Sequence, residues 1–143
     1  MSQATYEDVN LILKLYEMRR EEKLREARAW FFASCKPKTM AELGELCPPG
    51  SDGNARFRMV TSYWDMAASF ITAGVLNQEL FFESNTELLM TWERVRPLLG
   101  EVRAMFKNPH YLKNLETVGD AFAEHMKKRG PETYEAFLQR VVR

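Results

Sequence analysis

Residues 55–73 carry apolar side chains on nearly every side of a helix, and this segment constrains the fold more than any other. One stripe begins at Phe57 and Val60, and a second begins at Met59 and Tyr63, at the spacing of successive helical turns. A helix without a broad polar face must be surrounded by other elements. We therefore expect this helix at the centre of the core.

Helix signals also occur along the rest of the chain, whereas strand signals are almost absent. Gly74 is suited to end the central helix, and Asn77 is suited to cap the next one. Pro97 predicts a kink or restart in that next helix, and Asn108-Pro109 predicts the start of another. The pattern predicts an all-α fold, an irregular bundle of six or seven helices.

The first helix is predicted over residues 6–34, which makes it unusually long. At 1.5 Å per residue it would span roughly 43 Å, more than a domain of this size needs. In its first half the apolar stripe consists of Val9, Ile12, Leu13 and Tyr16. The stripe is then interrupted by a wholly charged stretch, residues 19–23.

Two interpretations of this long N-terminal helix remain open. The charged stretch is either a solvated section of a surface helix, or it marks a helix that projects and packs against a second copy of the chain. In the second case we expect the self-association contacts at Tyr16, Arg20 and Leu24.

The charges balance, with 20 Lys and Arg against 20 Asp and Glu. A neutral chain has no long-range field to attract phosphate backbones, which argues against nucleic acid as the main partner. The distribution is nevertheless uneven. Residues 59–102 hold two basic and six acidic side chains, whereas residues 103–143 hold eight basic and five acidic ones. This asymmetry favours internal complementarity or pairing of two copies, and we expect a homodimer or another protein partner.

The length of 143 residues fits one domain over residues 1–143. No run approaches the ~20 apolar residues of a membrane span, and the first residues lack the pattern of a signal peptide. We therefore expect a cytoplasmic protein without a membrane span. In that compartment Cys35 and Cys47 are expected to be free thiols.

Two tryptophan–acid pairs, Trp64-Asp65 and Trp92-Glu93, lie in the most apolar predicted helices. A carboxylate in such surroundings needs a partner, because an unpaired buried charge is costly. Nearby arginines, Arg96 among them, are the candidate partners. The pattern predicts either a structural polar centre or a small-ligand pocket built from these five residues.

No arrangement typical of a catalytic or metal site occurs in the sequence. His110 and His125 are 15 residues apart, about 22 Å along a helix, so one chain cannot bring them to one metal. The Glu-x-x-His spacing of di-iron helical bundles is absent. Two rows of carboxylates at i, i+4, i+8 are typical of solvated helix faces: Glu79, Glu83, Glu87, Glu116, Asp120 and Glu124. We expect no metal, no cofactor and no enzymatic activity.

Three segments resemble an uncharacterised family of bacterial and archaeal helical domains. They are residues 25–32 (REARAWFF), the helix and turn over residues 60–76, and residues 92–98 (WERVRPL). The likeness covers roughly residues 24–107. It implies an all-α fold and supplies no catalytic residue. Members of that family often begin with a membrane-spanning segment, whereas the N-terminal helix of this chain is charged.

Together these observations favour a non-enzymatic protein–protein interaction module that self-associates. The alternative is a small-ligand binding or regulatory domain with an apolar pocket near Trp64 and Trp92.

Overall fold

The computed structural model describes residues 3–142, and over that range the chain is helical with no strand. The elements are α1 Tyr6–Arg19, α2 Glu22–Ser34, α3 Met40–Leu46, α4 Asp52–Thr72, α5 Gln78–Ser84, α6 Thr86–Val95, a 3₁₀ turn Arg96–Leu98, α7 Leu99–Phe106, α8 Lys113–Arg129 and α9 Pro131–Val141. The predicted all-α fold and irregular bundle are confirmed. The helices are shorter and more numerous than predicted, because breaks at residues 20–21 and at Asn85 divide two of the predicted segments.

Helix α4 lies at the centre, where it packs against α2 on one side and α8 on the other. Its first stripe is enclosed, and Val60, Trp64 and Ala67 are fully buried. The second stripe is enclosed less completely, since Met59 remains on the surface while Tyr63 is buried. The predicted central position of this helix is therefore confirmed.

The long N-terminal helical segment lies over the predicted residues, but a break divides it into α1 and α2. Glu21 adopts an extended backbone conformation, and its carboxylate accepts a hydrogen bond from the backbone N–H of Leu24 at 2.9 Å. Glu21 therefore acts as the N-cap of α2. Leu15 and Leu24 are both buried, so each side of the break is anchored in the core instead of continuing as one rod.

The turn between α4 and α5 follows the sequence prediction. Gly74 has φ +81°, the left-handed conformation that favours glycine at the end of a helix. Asn77 then accepts a hydrogen bond from the backbone N–H of Leu80 at 2.8 Å and begins α5. The predicted restart at Pro97 is also confirmed, because the chain forms a 3₁₀ turn there before α7.

The predicted helix start at Asn108-Pro109 is wrong. The side chain of Asn108 accepts a hydrogen bond from the backbone N–H of His110 at 3.0 Å and stabilises a turn instead. Leu112 follows with φ +55°, and α8 begins only at Lys113. The left-handed residue separates the turn from the helix, so the two cannot form one continuous helical run.

Candidate functional site

The five residues of the predicted polar centre are divided between separate environments. Trp64 is 0% exposed and packs between the rings of Tyr63 and Phe81, at centroid distances of 4.9 and 6.4 Å. Trp92 is 2% exposed. Neither ring lines either of the two surface pockets described below. The Trp64 Nε1 donor has no hydrogen-bond partner among the described residues.

Asp65 binds the backbone of another helix, and within residues 3–142 no ion pair involves its carboxylate. Its Oδ1 accepts a hydrogen bond from the backbone N–H of Leu115 at 2.9 Å. Leu115 is the third residue of α8, whose own N-cap, Leu112, has no side chain able to accept a hydrogen bond. Asp65 therefore caps α8 from α4, and the carboxylate lies at the positive end of the helix dipole.

Glu93, Trp92 and Arg96 do come together, around α6, α8 and α9. The hydroxyl of Tyr134 donates a hydrogen bond to the buried carboxylate of Glu93, and Arg96 lies 3.4 Å from the same carboxylate. Arg96 also binds Asp120 at 2.9 Å, and the indole N–H of Trp92 donates to that Asp120 oxygen at 3.2 Å. Burial, together with the carboxylate of Glu93, raises the pKa of Tyr134. The cluster ties α6, α8 and α9 together.

Arg94, another of the nearby arginines considered as partners for these acids, is buried and binds backbone carbonyls instead. Its guanidinium donates to the carbonyl oxygens of Phe31, Phe32 and Cys35 at 2.8–3.1 Å. It also donates to the carbonyl of Val141 at 2.6 Å. These carbonyls belong to the last turns of α2 and α9, where a cation is favourable to the helix dipole. Burial lowers the pKa of Arg94, because the charged form is removed from water.

The two rows of carboxylates are engaged in ion pairs with several helices. In the first row Glu87 binds Arg28 at 2.7 Å and Glu83 binds Arg129 at 2.6 Å. In the second row Glu116 binds Arg103 at 2.9 Å, and Glu124 pairs with Lys127 at 3.2 Å. Over residues 3–142 no three His, Cys, Asp or Glu side chains form a group able to hold a metal ion.

Cys35 and Cys47 are both free and buried. Burial, and secondarily the neighbouring Cys47 thiol, raises the pKa of Cys35 to about 12. Burial likewise raises the pKa of Cys47. A thiol with a raised pKa is a poor nucleophile because the thiolate is the reactive form.

An apolar groove of about 1050 Å³ lies between α3, α4, α7 and the turn before α8. Its lining includes Leu43, Phe57, Met59, Met105 and Phe106. Met105 and Phe106 are exposed at its edge. Its volume falls near the upper end of small-molecule sites, and its lining has the mainly apolar character of such sites.

A second opening, of about 720 Å³, has a different character. It lies over α2 and α6, and charged side chains dominate its lining. Both members of the Arg28–Glu87 ion pair lie in that lining. The apolar groove is therefore the stronger candidate for binding.

A second apolar surface lies on α1. Tyr6, Val9, Leu13 and Tyr16 are 77%, 40%, 53% and 50% exposed. The prediction placed three of these residues, Val9, Leu13 and Tyr16, on one apolar stripe with Ile12. The structure exposes these three, whereas Ile12 is partly buried against the core. Asp8 and Leu15, on the opposite side of α1, are the residues that are buried. We call the four exposed side chains the outer face of α1.

The predicted self-association residues occupy different environments. Tyr16 and Arg20 lie together on the surface, with the Arg20 guanidinium 5.8 Å from the centre of the Tyr16 ring. Leu24 is buried in the core of its own chain. Only Tyr16 and Arg20 are therefore placed where a second copy can reach their side chains.

The fold and these surfaces define an all-α helical domain with two exposed apolar regions. The profile of the family described as domain of unknown function DUF4760 matches residues 4–122, and the chain belongs to this family. The match confirms the resemblance to an uncharacterised family and extends it to include α1 and the first half of α8. No curated protein and no solved structure matches the chain. Within residues 3–142, no helix combines the length and apolar character needed to cross a bilayer.

Proposed function

We propose that this protein is a non-enzymatic interaction module that self-associates through the outer face of α1. The observation that carries the proposal is the spacing of the four exposed apolar side chains. Tyr6, Val9, Leu13 and Tyr16 are separated by three, four and three residues. This is the spacing at which one helix presents a continuous apolar seam to another helix.

Two further properties favour a second copy of the chain as the occupant of this face. The chain carries no net formal charge, so two copies approach each other without long-range repulsion. The seam ends at Arg20, whose side chain lies against Tyr16 and leaves a cation at the edge of the contact. A seam of this kind pairs with its own copy because the same apolar spacing is present on both helices.

The inner side of α1 holds the outer face in place before any contact forms. The carboxylate of Asp8 accepts hydrogen bonds from the backbone N–H groups of Thr5 and Asn77 at 2.7 and 2.8 Å. The hydroxyl of Tyr63 donates to the carbonyl of Leu15. An ordered helix loses less conformational entropy on association, which favours binding.

Light scattering coupled to size exclusion, over a range of protein concentrations, tests the proposal. We expect a dimer near twice 16.7 kDa for the native chain. Leu13→Glu should produce monomers, because it places a charge in the centre of the seam. Leu13 is largely exposed, so the circular dichroism spectrum of the variant should remain that of the native chain.

Met105→Glu is the matched control, because it adds the same charge at another exposed apolar position. It should remain dimeric. A native chain that is monomeric at high micromolar concentration overturns the proposal. A dimer broken by Met105→Glu and not by Leu13→Glu also overturns it and assigns the contact to the groove.

A further inference from the structure

The apolar groove is separate from the outer face of α1. Its lining comes from α3, α4, α7 and the turn that ends at Leu112, and α1 contributes no lining residue. Phe57 and Leu112 are buried at its walls, whereas Met105 and Phe106 are exposed at its edge. A ligand that fills the groove would cover these exposed side chains and remove apolar surface from water.

The charge in the groove is confined to one residue. Arg58 is the sole charged side chain among the lining residues, and no carboxylate lies in the lining. Its Nε donates to Asn54 Oδ1 at 3.0 Å, and within residues 3–142 no ion pair involves Arg58. The guanidinium therefore retains donors and a positive charge beside an apolar surface.

The methionines in the lining suit a ligand with a flexible apolar body. Met40, Met59 and Met105 all contribute to the groove. Methionine side chains are unbranched and polarisable, so they adapt to a chain that can bend. The uncharged polar groups are few, and one of them, the buried hydroxyl of Thr61, is already used in a hydrogen bond to the carbonyl of Phe57 at 2.9 Å.

We propose that the groove between α3, α4 and α7 binds a free single-chain anionic amphiphile, with its alkyl chain against the methionine and phenylalanine side chains and its carboxylate at Arg58. The apolar lining selects the chain, and the single cation selects the charge of the head. An ammonium head would meet the like charge of Arg58, and a neutral head would gain no ion pair.

Calorimetric titration of the full chain with dodecanoate, dodecanol and dodecylammonium, each below the concentration at which it aggregates, tests the proposal. We expect dodecanoate to bind most tightly and dodecylammonium most weakly. Arg58→Gln should weaken dodecanoate binding about fivefold, as expected for a partly exposed ion pair, and should leave dodecanol binding unchanged. Equal affinities for the three probes, or an Arg58→Gln variant with native dodecanoate affinity, would overturn the assignment of the head group.

A pair of glycines provides a test of where dodecanoate binds. Gly44 lines the groove, and a Cβ added there would meet no atom within 4 Å. Gly44→Leu should therefore fold normally and reduce dodecanoate binding by occupying the groove. Gly100, in α7 outside the lining, is equally open and makes Gly100→Leu the matched control. Equal dodecanoate binding by the two variants would show that the ligand does not occupy this groove.

The amphiphile-binding proposal and the self-association proposal can fail independently of each other. Leu13→Glu lies on α1, outside the groove lining, and should bind dodecanoate like the native chain. Helical peptides that bind the groove in preference to dodecanoate would overturn the small-amphiphile proposal in favour of a protein partner, whatever the oligomeric state of the chain.

Discussion

The carboxylate of Asp65, in the middle of α4, accepts a hydrogen bond from the backbone N–H of Leu115, the third residue of α8, at 2.9 Å. The contact joins the central helix to the start of another helix and supplies the cap that Leu112 cannot provide. It also explains why an acid follows Trp64 in so apolar a helix. The tryptophan faces the core, and the next residue reaches the end of a neighbouring helix.

Replacing Asp65 should destabilise the fold through α8. Asp65→Ala removes the acceptor and leaves a backbone N–H in the first turn without its partner. Loss of a helix cap of this kind costs about 1 kcal/mol in the free energy of unfolding. Urea unfolding followed by circular dichroism measures the change.

Asp65→Asn is the matched variant, because it keeps an acceptor oxygen and removes only the negative charge. We expect it to be less destabilising than Asp65→Ala, with the remaining loss due to the helix dipole. If the alanine and asparagine variants both unfold at the same urea concentration as the native chain, Asp65 does not serve as the cap of α8.

Gly119 allows α8 to approach α6 closely. A Cβ added at Gly119 would lie 2.4 Å from ring atoms of Trp92, which is itself buried. Gly119→Ala should therefore lower the free energy of unfolding by roughly 1–3 kcal/mol, as overpacking of a core does. Thermal unfolding tests this, with Gly100→Ala as the control. Gly100 lies in open space within a helix, so its replacement should be neutral or stabilise by up to about 1 kcal/mol.

Loss of the Arg94 side chain should be among the most damaging single changes. Arg94→Met keeps much of the apolar stem but leaves the carbonyls of Phe31, Cys35 and Val141 without this donor. We expect a loss of roughly 3 kcal/mol in the free energy of unfolding, because buried carbonyls lose a charged donor. Arg94→Lys should recover less than half of this lost free energy, since an ammonium cannot donate in the several fixed directions of a planar guanidinium. Native stability of Arg94→Met in urea would contradict the inferred role of Arg94 in holding the ends of α2 and α9.

The contribution of Asp8 to stability should depend on pH. Hydrogen bonds from the backbone N–H of Thr5, and then from that of Asn77, hold the pKa of Asp8 below its ordinary value of 3.8. A lowered pKa means that the folded state favours the ionised carboxylate. The stabilisation is therefore present above about pH 3.8 and is lost as the pH falls through the folded-state pKa.

Comparison of the native chain with Asp8→Asn across this pH range provides the measurement. The difference between their free energies of unfolding should be constant near neutral pH and should shrink in acid. A difference that does not change with pH would mean that the charge of Asp8 contributes nothing to the contact between α1 and α5.

Much of the fold could be predicted from local patterns. The all-round apolar segment identified α4 as the central helix, and the residues Gly74 and Asn77 identified the turn that follows it. These features depend on residues close together in the chain, so the sequence displays them directly. The break between α1 and α2 was missed because a glutamate is an uncommon N-cap, and the charged stretch was also compatible with a continuous helix.

The candidate sites were predicted less well, for a physical reason. The apolar character of Val9, Leu13 and Tyr16 is visible in the sequence, but an apolar stripe does not itself say which side faces the core. That was decided on the opposite side of α1, where Asp8 binds the backbone of Asn77 and Leu15 packs in the interior.

The sequence by itself determined the helical class, the central helix and the need of the tryptophan–acid pairs for partners. Only the tertiary structure decided which groups those partners are: a backbone N–H for Asp65 and a tyrosine hydroxyl for Glu93. It likewise decided that the buried Arg94 binds carbonyls at helix ends. It also decided the position of the groove, which forms where α7 packs beside α3 and α4, two helices far from it in sequence. Local patterns set helix boundaries through short-range hydrogen bonds. Long-range contacts depend on how the helices pack, which no single segment of the sequence specifies.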